Sequence, residues 1–198
     1  DTILCFSDKG KVYWLRVFEI PRASRGSKGR PMVNILPLDE GERITTFLSV
    51  NEYTEDRFIF MATSQGTVKK TPLENFSRPR SSGLIALALD EGDSLIGAAI
   101  TDGQQDIMLM SNSGKMIRFN ETNVRAMGRT ARGVRGIKIA NEFRVVSLIL
   151  PEADGLLLVA SENGYGKRTR MDEFSVIDVV RQGQQYVCLI RLLVYRRK

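Results

Sequence analysis

Short apolar segments of strand length recur along the chain, and each is followed by a glycine in a polar setting. Runs of this length that end in small polar residues predict β-strands, and the polar tetrads after them predict tight hairpin turns. A glycine in such a turn supplies the positive φ that other residues avoid. The four segments and their turns are TILCF with DKGK at Gly10, RFIFMAT with SQGT at Gly66, QDIMLMS with NSGK at Gly114, and GLLLVAS with ENGY at Gly164.

Residue types around these four glycines recur in register, at spacings of 56, 48 and 50 residues. A period of this length is typical of solenoids, propellers and other repeat arrays. Apolar side chains at equivalent positions are expected to pack between neighbouring repeats. The predicted inter-repeat core contains Ile3, Ile59, Phe60, Phe76, Ile107 and Phe174.

Three further strands are predicted in each repeat, which makes four strands per repeat. The second strands follow the turns, as KVYWLRV, TVKKTPL, KMIRFNE and YGKRTRM. The third are predicted at VNILPL, LIALAL, GIKIA and YVCLIRL, and the fourth at RITTFLSV, SLIGAAIT and RVVSLILP. Four short strands per repeat indicate an all-β, bladed, propeller-like array, whereas a β-sandwich would lack the internal repetition. We expect one domain over 1–198, with repeats at approximately 2–50, 57–101, 105–151 and 155–198.

Composition excludes several classes of site. The chain has 198 residues, a formal charge of +6 and no histidine, so the commonest general base and metal ligand is missing. Cys5 and Cys188 stand alone and far apart, which favours a reducing compartment over a disulfide framework and provides no zinc spacing. The stretch SNSGKMIRF lacks the first glycine and the Ser/Thr of a nucleotide-binding P-loop. No metal and no cofactor are expected.

Basic residues concentrate in one part of every repeat. Segments 9–30, 69–80, 115–138 and 167–181 hold 22 of the 29 basic residues and only six acidic ones. The acidic turns LDEGE and LDEGD recur elsewhere, and we expect them away from the basic surface, in solvated turns unsuited to catalysis. A solvated charged surface is the alternative interpretation, but it leaves the separation of sign unexplained. Phosphate contacts with double-stranded DNA are predicted for Lys9, Lys11, Arg16, Arg22, Arg25, Lys28, Arg30, Lys69, Lys70, Arg78, Arg80, Lys115, Arg118, Arg125, Arg129, Arg132, Arg135, Lys167, Arg168 and Arg170.

Several stretches resemble the C-terminal domain of the bacterial DNA gyrase A protein: ILCFSDKGKVY, RGSKGRPMVNILPLDEGERIT, FMATSQGTVKKT, NVRAMGRTARGVRGI and NGYGKRT. The resemblance implies a β-pinwheel, in which neighbouring blades exchange a strand. It also implies a non-catalytic module that wraps duplex DNA, largely without regard to sequence, for strand passage and supercoiling by a type IIA topoisomerase. The catalytic tyrosine and the ATPase would lie elsewhere, in the rest of gyrase A and in gyrase B. The implied location is the bacterial cytoplasm, at the nucleoid and not at a membrane.

The sequence departs from that family in two places. The glutamine–arginine–arginine–glycine-rich box is absent, and the repeat pattern decays after Phe174. With the remaining blades missing, an open sheet edge is expected.

Three other interpretations stay open on the residues alone. They are the related domain of topoisomerase IV, a propeller-like scaffold for protein partners, and an enzyme with a site in a central channel. Trp14 could stack on a nucleotide or cover a neighbouring surface. The tyrosines, among them Tyr13 and Tyr165, are expected to be packing residues.

Overall fold

The computed structural model describes residues 1–152, 154–161 and 163–176, and these form thirteen strands with short 3₁₀ turns. The predicted third strand at 186–192 lies outside the described residues. The strands are β1 (Thr2–Ser7), β2 (Lys11–Arg16), β3 (Ile44–Val50), β4 (Phe58–Thr63), β5 (Thr67–Pro72), β6 (Leu84–Ile85), β7 (Leu95–Thr101), β8 (Asp106–Ser111), β9 (Met116–Asn120), β10 (Val134–Arg135), β11 (Val145–Ile149), β12 (Leu156–Ala160) and β13 (Gly166–Arg170).

Each repeat is built on one antiparallel hairpin, as the sequence predicts. The hairpins are β1–β2, β4–β5, β8–β9 and β12–β13, and their turn glycines have φ values of 73°, 89°, 80° and 79°. The predicted fourth strands are also confirmed in the first three repeats, where β3, β7 and β11 pair with β1, β4 and β8. Each described repeat therefore contributes a small sheet, or blade.

The predicted third strands are largely wrong in position, and they do not pair within their own repeat. In the second repeat only Leu84–Ile85 is a strand, and it joins β2 of the first repeat. In the third repeat Val134–Arg135, just before the predicted GIKIA, joins β5 of the second. The segment VNILPL of the first repeat is instead overlapped at its start by a 3₁₀ helix at Met32–Asn34. Neighbouring blades thus exchange a strand, as the resemblance implies.

The blades are arranged around a common inner side. β3 lies against β7, and β7 lies against β11, so these strands converge where the repeats meet. The exchanged strands β6 and β10 are at the opposite edge of their sheets, which is therefore the outer edge. Among the described residues β9 pairs with β8 alone, and the segment equivalent to β6 and β10 in the fourth repeat lies outside them.

The core lies between blades. One apolar cluster joins the first two blades through Leu4, Ile59 and Phe76, and another joins the second and third through Phe60 and Ile107. The predicted core residues are buried there or, for Phe174, between the third and fourth blades, and only Ile3 is partly exposed. No helix in the described part of the chain is long and apolar enough to cross a bilayer.

Candidate nucleic-acid interface

Three basic loops follow the outer edge of the array. These outer loops, residues 20–31, 77–83 and 124–133, follow the 3₁₀ turns at the end of each hairpin, and the second and third of them lead into the exchanged strands β6 and β10. Their sequences are rich in Gly, Ser and Pro, which favours irregular backbone with exposed side chains.

Most of the predicted phosphate-binding residues of the outer loops are exposed. Within the described residues, Arg132 is the one member of this set that pairs with a carboxylate, that of Asp90 at 3.0 Å. Arg129 is half-buried, and Arg135 extends the set onto β10. The exposed members are Arg22, Arg25, Lys28, Arg30, Arg78, Arg80, Arg125, Arg132 and Arg135.

The first hairpin places its lysines beside an acidic turn. The Lys11 ammonium lies 2.5 Å from the Asp39 carboxylate, and Lys9 donates to the Glu40 carbonyl at 2.8 Å. The hydrogen bond with Asp39 raises the pKa of Lys11, and its counterpart lowers the pKa of Asp39. The expected separation of acidic turns from the basic surface is therefore wrong at Asp39 and Asp90. Asp39 pairs with Lys11 of the first hairpin, and Asp90 pairs with Arg132 of the third outer loop.

Lys69 is not on the surface. It is solvent-inaccessible, and its ammonium donates to the carbonyl oxygens of Ala86, at 2.8 Å, and Arg129. Desolvation, with a smaller contribution from the Arg129 charge, lowers the pKa of Lys69 to about 8. A side chain enclosed in this way has no path to a DNA phosphate, so the prediction that Lys69 binds DNA is wrong.

Lys70 is also buried, on the opposite face of the same strand. Its ammonium donates to the Glu121 carbonyl at 2.9 Å, lies 3.8 Å from the Glu121 carboxylate and sits 5.2 Å from the centre of the Phe58 ring. The Glu121 carboxylate also accepts from the Thr101 hydroxyl and from the backbone N–H groups of Gly103 and Gln105. Lys70 therefore binds the next blade, and its predicted DNA contact is wrong as well.

Lys70 belongs to a series of side chains four residues after the turn glycine. In the first repeat the Trp14 indole N–H donates to the Phe76 carbonyl at 2.9 Å. In the third repeat Arg118 donates to the carbonyls of Met171 and Phe174 at 2.9 and 3.1 Å, while pairing with Asp106 at 2.8 Å. Each acceptor lies in or beside the 3₁₀ turn of the following repeat. We call this series the inter-blade donors. Trp14 therefore covers the neighbouring blade, as one of its two predicted roles requires. Arg118 binds the next blade, so its predicted DNA contact is wrong.

The remaining predicted residues lie on the first, third and fourth hairpins. Lys115 is half-buried, whereas Lys167, Arg168 and Arg170 are exposed. Arg170 pairs with Asp172 at 3.0 Å, both in exposed positions. Arg16 is exposed, and its guanidinium lies 5.8 Å from the centre of the Phe18 ring.

The tyrosines are expected to be packing residues. Tyr13 is buried and donates a hydrogen bond to the Glu42 carboxylate, as expected, but Tyr165 is exposed.

The turn glycines have a second role beyond their φ angle. The Gly10 carbonyl accepts from the N–H groups of Ala86 and Leu87, and the Gly66 carbonyl accepts from those of Gly136 and Ile137. A Cβ atom on Gly10 would lie 2.4 Å from the Leu87 carbonyl oxygen, and one on Gly66 would lie 2.5 Å from that of Ile137. The backbone of the next blade thus approaches too closely for any side chain.

Sequence reasoning missed the buried carboxylates. Glu121 stands seven residues after its turn glycine, where the other repeats have Val17, Leu73 and Met171. A charged residue in an apolar column is a usable signal of an internal ion pair, and Lys70 is its partner. Within the described ranges no group of His, Cys, Asp and Glu side chains is placed to hold a metal ion.

Fold and surface together define a strand-exchanging, propeller-like array with a basic outer edge. The model of the family "DNA gyrase C-terminal domain, beta-propeller" matches residues 1–51, 57–102, 105–151 and 155–178. The chain belongs to that family.

Individual relatives agree with this assignment. The DNA gyrase A protein of Klebsiella oxytoca is 57% identical over 183 residues, covering 92% of the chain and 21% of that protein. The chain thus spans about a fifth of the length of the curated relative. A crystal structure of the C-terminal domain of DNA topoisomerase IV matches with a TM-score of 0.81 and 28% identity, over 89% of the chain and 55% of that structure. A structure of the DNA gyrase A C-terminal domain matches with a TM-score of 0.75 and 26% identity, over 89% and 57%.

Proposed function

We propose that the chain binds double-stranded DNA along its outer edge and bends it, without catalysing a reaction itself. The observation that carries this proposal is the series of exposed cationic side chains on three successive outer loops. Apart from Arg132, these loop side chains have no carboxylate partner among the described residues. Unpaired charge that recurs on one edge of an array fits a polyanion that runs across several repeats.

Phosphate contacts explain the residue types and their placement. Duplex DNA presents one negative charge per ~1.7 Å of its axis, and a cation bound there releases condensed counterions. Arginines on irregular loops suit contacts with phosphates, and none of the described elements offers a recognition helix for the major groove. Binding largely independent of sequence follows. Cations on successive loops would also offset the cost of bending DNA with additional contacts.

The wider role rests on the relatives. The matching family model is that of the DNA gyrase C-terminal domain, and the relative with 57% identity is a DNA gyrase A protein, which favours a gyrase. In that setting the chain would act as one repeat array that presents DNA to the rest of gyrase A and to gyrase B, where cleavage and ATP hydrolysis would take place. Its site of action would be DNA in the bacterial cytoplasm.

A charge-reversed pair on one outer loop tests the proposal. Arg78→Glu/Arg80→Glu is expected to weaken binding of the 198-residue chain by about tenfold or more, equally for duplexes of unrelated sequence, because phosphate contacts carry no sequence information. Arg43→Glu/Arg57→Glu changes the net charge by the same amount at exposed sites outside the outer loops, and it serves as the control. Equal losses in the two variants, or a loss confined to particular sequences, would contradict the proposed interface.

A further inference from the structure

An open cleft of about 360 Å³ lies between the hairpin turn of the second repeat and residues 135–144 of the third. Arg135, Lys138 and Arg144 line it, together with the side-chain amides of Gln65 and Asn141. No carboxylate is among the lining residues described. Its volume is within the range of small-ligand sites, and we call it the basic cleft.

Backbone hydrogen bonds fix which residues of the second repeat are equivalent to this segment. Leu87 and Ile137 donate to the carbonyls of Gly10 and Gly66, and Leu95 and Val145 donate to those of Asp8 and Ser64. Residues 85–94 therefore occupy, in the second repeat, the place that 135–144 occupy in the third. The segments can be compared position by position.

The two segments differ by an inversion of charge. Asp90, Glu91 and Asp93 of the second repeat are replaced by Ala140, Asn141 and Phe143 of the third. The same segments exchange three uncharged residues for cations: Ile85, Ala88 and Ser94 become Arg135, Lys138 and Arg144. Glu142 is the single acidic residue of 135–144, and it does not line the cleft. The surface is thus acidic at the junction of the first and second blades and basic at the junction of the second and third.

Hydrogen bonds to backbone carbonyls hold two of the side chains that line the basic cleft, those of Arg144 and Gln65. The Arg144 guanidinium donates to the carbonyls of Asn141 and Phe143, at 3.2 and 3.4 Å, which fixes it against the turn. The Asp93 carboxylate beside Gln65 already accepts from the Ser64 hydroxyl and from the N–H groups of Gln65 and Ser94. The Gln65 side chain donates to the Glu91 carbonyl at 3.4 Å.

We propose that the basic cleft is a phosphate-binding site, and that its ligand is a backbone phosphate of bound DNA. This inference rests on the proposed function and extends it, because Arg135 on β10 belongs both to the cleft and to the outer edge. A duplex that follows the outer loops reaches the cleft at the junction of the second and third blades. There its backbone meets three cations on a preformed concave surface instead of the acidic turn that the preceding junction presents.

The test is the salt dependence of DNA binding by Lys138→Ala/Arg144→Ala in the 198-residue chain. The slope of log K against log salt is negative, and each lost phosphate contact reduces its magnitude by about 0.9. A reduction of about 1–2 in magnitude is therefore expected for the two substitutions. Arg43→Ala/Arg57→Ala removes the same charge from exposed sites outside the cleft and should leave the slope nearly unchanged. Arg43 is also the first-repeat equivalent of Arg144, since both carbonyls accept from the hairpin turn of their own repeat.

The outcomes separate this inference from the proposed function. If the parent chain does not bind DNA, the proposed function fails and the inference fails with it. If the parent binds and the Arg78/Arg80 variant is weakened, but the cleft variant matches its control, the cleft inference alone is overturned. Inorganic pyrophosphate distinguishes a second source of phosphate. Thermal stabilisation of the parent that the cleft variant loses, with no change in DNA slope, would assign the cleft to a free anion and overturn the DNA ligand.

Discussion

Lys69 shows how a charged residue is accommodated inside a β-array. Its nitrogen has two carbonyl partners, and a neutral amine has two N–H groups with which to satisfy both. Loss of the proton therefore removes the cost of burying a charge without breaking either hydrogen bond. This accounts for a pKa lowered to about 8 by desolvation and by the Arg129 charge.

The lowered pKa predicts a pH-dependent stability. Between about pH 8 and the unfolded value near 10.4, the unfolded chain binds a proton at Lys69 and the folded chain does not, so the free energy of unfolding rises with pH. Lys69→Met removes this titration. Denaturant unfolding of both proteins between about pH 7 and pH 10 should show the parent gaining stability relative to the variant. A constant difference between them would show that Lys69 titrates normally.

The turn glycines give a second prediction at this scale. Gly66 and Gly164 have similar φ values, 89° and 79°, but among the described residues the backbone of another blade approaches Gly66 and not Gly164. Alanine should cost about 1 kcal/mol at either site from the unfavourable φ. At Gly66 it should cost about 2 kcal/mol more from overpacking, because a Cβ would lie 2.5 Å from the Ile137 carbonyl oxygen. Equal losses of Tm would contradict the inter-blade role of Gly66.

At the scale of the element, the inter-blade donors connect each hairpin to the next 3₁₀ turn. Trp14, Lys70 and Arg118 differ in chemistry, yet each donates to carbonyls at the same place. All three are long side chains that end in an N–H group. Such a donor is required because backbone carbonyls at the end of a short 3₁₀ turn have no partner within the turn. Arg168 occupies the equivalent position in the fourth repeat and is exposed.

Lys70→Met is expected to destabilise the chain by about 2–4 kcal/mol, since it leaves a buried carboxylate and a carbonyl without their cation. DNA affinity of the folded variant should stay close to that of the parent, because Lys70 is enclosed. Arg78→Ala should have the opposite effects, with nearly unchanged stability and weaker DNA binding. Chemical denaturation and DNA titration of both variants check this. A Lys70→Met protein that is as stable as the parent but deficient in DNA binding would contradict this account and would indicate that Lys70 contacts DNA.

Elements are predictable from the sequence where their partners are close along the chain. The hairpins and the fourth strands carry a local pattern, a turn glycine and an apolar alternation, and their predicted positions are nearly correct. The third strand is not predictable in this way, because β6 and β10 consist of two residues each and are defined by pairing with the preceding repeat. Pairing between repeats leaves no periodicity in the segment itself. For the same reason the sequence indicates surface positions for Lys69, Lys70 and Arg118, since it does not show which face a neighbouring blade covers.

At the scale of the whole molecule, the charge is arranged by repeat rather than by face. One acidic turn lies against the first hairpin and another against the third outer loop, while the outer-loop arginines other than Arg132 have no carboxylate partner among the described residues. The concentration of basic residues in one part of each repeat is visible in the sequence. Their division into buried donors, paired side chains and exposed arginines requires the folded structure, because it depends on distances between repeats.

Bending of duplex DNA by the outer edge is measured most directly by fluorescence transfer between the ends of a long linear duplex bound to the 198-residue chain across a salt series. We expect a shortened end-to-end distance at low salt and a steep loss of both binding and transfer as salt rises. The Arg78→Glu/Arg80→Glu variant should lose the transfer at salt concentrations where the parent retains it. Tight, salt-sensitive binding with no change in end-to-end distance would contradict bending by this array, and absence of binding at low salt would contradict the DNA interface itself.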